Sequence, residues 1–499
     1  MIGLNWEERG LTPSPGVGSA AQGQSDLAPE EPSMPPRNGR QSLLSRYPRR
    51  PLPAPQARLD RRGFLKFAGG AAAAASLAAC TPVGQLAGRP TAGNIQLVYQ
   101  DWRTDWFPAL AQQMLDQFRS SHPDIGVFYS PDPENLESEM IEDFQSGSAP
   151  DVMAGCCDWF AIWAQQGYML DLRPFVEADL DQEIIDDWDP AQYTALFTPD
   201  GQQFALPKYH GALGLYFNKD IFDAYGVDHP DGSWDHDDYL AAMKLLTHDT
   251  DGDGQVDQWG SMLDIAWERI QVHVNAWGGH FVDPNDPTRS WLGRAESLAA
   301  MEWLRQRIWV DHVMASFLDV DNVETRQAFL AGQLAMVEDG SWALKDILEN
   351  ATFRFGVAPF PAGPAGKVTL ATTDGFGIYA DTTHPEASWE LLKFLVSREY
   401  GLAMAEAHLL QPARRSLVPD WAKIIRQQYP EQARDLDVEV FAEGHEQGYS
   451  VTAEIFANMA PARELTQAAW QQIFTLGQSP VDEMLAVSAR IELAQSISQ

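Results

Sequence analysis

Oxygen-bearing side chains fall at alternate positions in the stretch HDTDGDGQVDQWG. Asp249, Asp251, Asp253, Gln255 and Asp257 occupy positions 1, 3, 5, 7 and 9 of a loop patterned like an EF-hand, with Gly254 at its sharp turn. A hard cation needs oxygens in that rhythm, so a structural calcium ion is the expected ligand. Position 12 is Gly260 instead of a bidentate Glu, so one ligand would have to come from elsewhere. A solvated turn between a helix and a strand is the alternative reading. No other cofactor is expected.

Cys156 and Cys157 are adjacent, and with only three cysteines in the chain a disulfide framework is excluded. Nothing nearby completes a thiolate metal site, so two free thiols are expected. No recognisable catalytic motif accompanies them, and the chain is read as a non-enzyme.

These residues are carried by a 499-residue chain with 44% hydrophobic residues, enough for two or three domains with sizeable cores. Its net charge of −35 is unevenly spread. Up to Ala79 there are ten Lys/Arg and six Asp/Glu, so that part carries +4 and the remainder −39. Such an acidic surface repels nucleic acid and anionic lipid and disfavours phosphate-rich ligands.

Residues 1–59 contain much Pro, Gly, Ser and Gln without hydrophobic periodicity, and are expected to form a disordered leader. Residues 60–79 follow with Arg61-Arg62 and a thirteen-residue, mostly Ala run from Phe67 to Ala79. That run is shorter than the ~20 apolar residues a membrane span needs. Its basic start, apolar middle and small-residue end match a secretory signal. The arginine pair resembles a twin-arginine export signal. Leu77-Ala78-Ala79-Cys80 resembles a bacterial lipobox, which implies cleavage before Cys80 and a lipid on its thiol. Residues 80–93 would then be a lipidated flexible tether. Export signals sit near an N-terminus, so translation is expected to start later than Met1, for instance at Met34.

From Ile95 strands and helices alternate, which predicts an α/β fold with a parallel sheet covered by helices. IQLVYQ is a strand, and Phe107, Leu110, Met114, Leu115 and Phe118 share one face of a helix that ends before Pro123. Strands are expected at PDVMAG, ALGLYF, FRFGVAPF and GFGIYA, and helix predominates after Asp420, giving a helical C-terminal region.

Four stretches, in order, resemble the family-1 extracellular solute-binding proteins of ABC importers, whose best-known relatives bind maltose and other oligosaccharides. They are FQSGSAPDVMAGCCDWFAIWAQQGYMLDL, FALPKYHGALGLYFNKDIFDAYGV, FLAGQLAMVEDGSWALKDI, and the segment from VAPFPAG to ATTDGFGIYADTTHPEASWELLKFL. The resemblance implies a two-lobed periplasmic-binding-protein type II fold with a ligand cleft between lobes. It places crossings near Pro207, Pro359 and Ser397, so that residues 94–207 and 360–397 make lobe 1 and residues 208–359 and 398–499 make lobe 2.

Sugars offer hydroxyl edges and apolar faces, which ask for carboxylates or amides beside aromatic rings. On the resemblance, Asp158 matches an aspartate that accepts from sugar hydroxyls, although it could equally cap the following helix. Trp342 matches the family's stacking tryptophan. Trp159, Tyr209, His210, Trp277, Thr373, Asp374 and Arg414 complete the expected site, with Asp101 and Trp102 after the first strand. The implied function is an extracytoplasmic lipoprotein that captures a carbohydrate and delivers it, as a monomer, to an ABC permease. The rival readings are a polyamine or other small-solute binder of the same fold, a surface receptor serving a sensor, and a secreted glycoside hydrolase.

Overall fold

The strand and helix alternation forms from Ile95 onward in a computed structural model, which describes residues 94–320 and 322–497. The leader, Arg61, Arg62, Cys80 and the tether lie outside the described residues. Among the described residues no helix is long and apolar enough to cross a membrane.

The first lobe is built on a five-stranded sheet in the order 125–131, 95–101, 152–155, 375–378 and 206–207. The first three strands are parallel, with Ile95 opposite Ile125 and Tyr99 opposite Val152. The helix Phe107–Ser121 supplies the first crossover, and its buried residues include the five the periodicity selects. It stops at His122, one residue before Pro123, because Pro disfavours helical backbone in the residue before it. Gly375–Ile378 enters antiparallel to Val152–Gly155, so the sheet is mixed and not wholly parallel as expected. Leu97, Tyr99, Phe107, Phe118, Phe376 and Trp389 fill the core between this sheet and its helices.

The second lobe centres on Leu213–Asn218, buried along its whole length between Met336–Gly340 and Phe355–Ala358. Both neighbours are antiparallel to it. The predicted strands are present here, but their direction differs from the parallel pattern expected. Helices dominate after Val418, at 418–428, 440–447, 459–470 and 483–497. Phe281, Met301, Leu304, Met336, Trp470 and Met484 share one of its cores.

The chain first leaves the five-stranded sheet after Leu206–Pro207, the crossing expected near Pro207. The second crossing does not lie near Pro359. Beyond Ala358 the chain stays with the second lobe, since Phe360 and Leu370 pack with Leu213 and Val272, and Thr369–Leu370 pairs with Ser450–Val451. It joins the first sheet only at Gly375, so the crossing occupies 371–374 and not Pro359. The third lies after the helix Arg398–His408 and not at Ser397. Tyr400 and Met404 of that helix belong to the first core, whereas Ala405 and Leu409 belong to the second. Residues 208–212, 371–374 and 411–413 thus run together between the lobes. Lys208 N donates to Asp374 O at 3.0 Å, Thr372 N to Gly211 O at 2.9 Å, and His210 N to Gln411 O at 2.9 Å.

Candidate ligand cleft

The crossing segments form one wall of a cleft. Tyr209, Thr372, Thr373 and Asp374 line a cavity of ≈ 270 Å³ together with Cys156, Cys157, Glu268 and Arg269. A second cavity of ≈ 500 Å³ adjoins it and is lined by Asp264, Arg269, Glu324, Arg326 and Asp339. Trp342 lines both.

Trp342 gets there by local geometry. Met336–Gly340 ends in a short turn of helix, Ser341–Ala343, which puts the indole beside the first crossing segment. Gly211 leaves room for it: a Cβ there would sit 2.9 Å from Trp342 Cε3 and 2.7 Å from Thr372 Cγ2. The Arg269 guanidinium carbon stands 5.2 Å from the indole centroid, within range of a cation–π contact. Arg269 pairs with Asp264 at 3.4 Å and Asp339 at 3.5 Å, and Arg326 pairs with Asp339 at 2.7 Å. One wall of the cleft is therefore a chain of fixed donors and acceptors around an aromatic face.

Burial sets the charge on the other wall. It pushes the Asp374 carboxyl up to about 6, against the charge of Lys208 and hydrogen bonds from Thr372 and Tyr209. Burial, with the Asp158 charge, pushes Glu268 up to about 7. Cys156 and Cys157 are free thiols with their sulfurs 2.8 Å apart. Contact with Cys156 and then burial push the Cys157 thiol well above its ordinary range, so it stays protonated near neutral pH. The cleft is polar but carries less negative charge than its carboxylates suggest.

Of the expected site residues, Tyr209, Trp342, Thr373 and Asp374 meet in this cleft. Asp101, Trp102 and Trp159 line a separate recess of ≈ 20 Å³ beside it. There Asp101 is buried and ion-paired with Lys208, whose ammonium lies 3.1 Å over the Trp102 ring. The remaining four point elsewhere. Asp158, expected to accept from a sugar, instead meets Arg463 of the second lobe at 3.1 Å, and Arg463 also grips Glu137 at 2.6 Å. An ordered cation thus occupies the carboxylate. Trp277 closes a helix and packs on His236 and Trp303 within the second core, because its side of that helix is apolar. His210 turns away from the cleft toward Asp189. Arg414 reaches back to the Val396 carbonyl.

The residues missed from sequence are Asp264, Glu268, Arg269, Arg326 and Asp339. Charged residues interrupting the apolar stretch SMLDIAWERI were a usable signal; the pairing of Arg326 with Asp339 left none.

The acidic loop brings together Asp249, Asp251 and Asp257, whose oxygens lie within 4.8 Å of one another; Asp253 is not among them. Asp249 accepts from Gly252 N and Gly254 N, Asp253 from Gln255 N, and Asp257 from Thr250. Three of the loop's carboxylates therefore stand together, while Asp253 turns an oxygen to a neighbouring backbone N–H.

Two lobes, crossing segments between them and a polar aromatic cleft define the fold of the substrate-binding proteins of ABC transporters. The solved ABC substrate-binding protein Lmo0181 from Listeria monocytogenes in complex with cycloalternan matches it with a TM-score of 0.70 at 20% identity, over 81% of this chain and 99% of that one. The family model for bacterial extracellular solute-binding proteins matches residues 101–401, and the chain belongs to that family. An uncharacterized lipoprotein in the oleD 5' region of Streptomyces antibioticus is 23% identical over 354 residues, 69% of this chain and 75% of the relative. The maltodextrin-binding protein MdxE of Bacillus subtilis (strain 168) is 23% identical over 294 residues, 54% of this chain and 64% of the relative.

Proposed function

We propose that this protein captures a sugar or oligosaccharide in the cleft by lobe closure and delivers it to the permease of an ABC importer. The observation that carries the reading is Trp342, an aromatic face set among Arg269, Asp339, Tyr209 and Asp374. A flat apolar surface ringed by donors and acceptors suits a sugar ring with its hydroxyl edge. Reduced charge on Glu268, with Arg269 and Arg326 nearby, favours a neutral ligand over a polyamine. A maltodextrin-binding relative and a cycloalternan-bound neighbour support the same class.

The protein acts by binding and carries out no catalysis. Export through Arg61-Arg62 and lipidation of Cys80 hold it, as a monomer, to the outer face of the cell membrane. The Streptomyces lipoprotein supports that placement. A thermal-shift screen against oligosaccharides and polyamines tests the reading, because a ligand bound only by the native state raises the melting temperature. Maltodextrins or related oligosaccharides are expected to raise it. A response confined to polyamines, or release of reducing ends in proportion to protein, would overturn it.

A further inference from the structure

The crossing segments also gather three side chains that the cleft does not use. Asp189, His210 and His445 are buried, and one ligand atom from each lies within 4.8 Å of the others. Asp189 belongs to the first lobe, where its Oδ1 caps the helix Pro190–Ala195 by accepting from Ala191 N at 2.7 Å. Its Oδ2 lies 3.3 Å from His210 Nε2, on the first crossing segment. His445 comes from the helix Val440–Gln447 of the second lobe, its ring 4.8 Å from that of His210 and nearly perpendicular to it.

Beyond the His210 Nε2 contact with Asp189, hydrogen bonding within the described residues leaves the ring nitrogens of this group unpaired. His445 is only 9% exposed, yet neither of its ring nitrogens has a partner, and His210 Nδ1 has none. A buried polar atom left unpaired costs about 1–3 kcal/mol, so a buried His445 ring with no partner at either nitrogen, beside His210 and Asp189, calls for a ligand. On the segment paired with His210, Gln411 is fully buried with both side-chain amide atoms unpaired, a further oxygen donor close in the fold.

We propose that Asp189, His210 and His445 bind one divalent transition-metal ion of the zinc type, tying the two lobes together at the hinge. Ligand atoms about 2.0–2.1 Å from a tetrahedral zinc lie about 3.3–3.4 Å apart, and the Asp189 to His210 spacing already meets that. Two imidazoles select such an ion over calcium or magnesium.

The test uses the full chain without a histidine tag, stripped with chelator and dialysed against Zn²⁺ alone. One zinc per chain is expected to be retained, with visible bands of tetrahedral coordination when Co²⁺ replaces it. His445→Gln and His210→Gln are expected to lose stoichiometric retention, while His229→Gln, on a half-buried histidine outside the group, keeps it. Equal retention by wild type and His445→Gln, or no retention by wild type, overturns the proposal. Should the variants fail to fold, the Co²⁺ spectrum of the wild type decides: bands lacking tetrahedral character overturn it.

Discussion

Replacing Trp342 by Ala separates a ligand platform from a packing residue. An indole buries about 150–250 Å² when fully covered. One face laid on a sugar covers about a third of that, with a similar area on the sugar, so about 120 Å² of apolar surface leaves water. At about 25 cal/mol per Å² this is about 3 kcal/mol, and after the entropy of ordering the sugar about 2 kcal/mol remains. The expected loss is therefore about 30-fold in Kd. Folding loses less. Trp342 is half-buried, and its cation–π contact with Arg269 is worth about 0.5–1 kcal/mol at such a site. Isothermal titration with the oligosaccharide that gives the largest thermal shift, beside a thermal melt of the free protein, reads both. An unchanged Kd with an intact melt refutes the stacking role, and so does a lost melt with no specific loss of binding. Gly211→Ala should reach a similar end without touching the ring, since its Cβ would meet Trp342 and Thr372 closer than 3.0 Å.

Two further outcomes follow from the same structure and one from the sequence. The Asp374 carboxyl sits at about 6 against an ordinary 3.8, so between pH 4 and 6 the native state holds a proton the unfolded chain has lost, and stability falls as pH rises through that window. Asp374→Asn should accordingly gain up to about 3 kcal/mol at pH 7.5 and nothing at pH 3.5, read by denaturant melts at both; equal gains at the two would refute the charge argument. Arg463→Ala leaves the buried Asp158 without its cation and should cost about 1–2 kcal/mol, less under acid, where the carboxyl is neutral; a pH-independent loss points to packing instead. Cys80→Ala should move the protein from the membrane fraction to the medium or periplasm, and Lys at both Arg61 and Arg62 should hold it inside the cell. Fractionation of cells expressing each variant checks both.

Local pattern made much of the fold legible. The face Phe107, Leu110, Met114, Leu115 and Phe118 is buried as its spacing implies, because helical periodicity records which side meets an apolar neighbour. It does not record which neighbour. Asp158 sits at the start of a helix in either reading, and only the approach of Arg463 decides that it is occupied. Glu137 and Arg463 are 326 residues apart, a distance over which sequence spacing carries no trace of pairing. Trp277 looked like Trp342 in kind, a tryptophan beside glycine; its ring went into a core while the other faced a cleft. Arg269 on a helix and Asp339 on a strand are illegible for the same reason, since a charged residue reads as solvated until a second segment closes over it.

What the sequence determined alone was therefore the alternation of elements, the buried face of the first helix and the helical C-terminal region. Each depends on neighbours within about a dozen residues, whose spacing and turn chemistry are written in the chain. Tertiary structure alone decided the direction of Gly375–Ile378, the later second crossing, the clasp of Arg463 on Asp158 and the meeting of Asp189, His210 and His445. These depend on segments brought together only when two lobes pack around three crossings. Burial then sets which charges survive and which polar atoms are left waiting for a ligand.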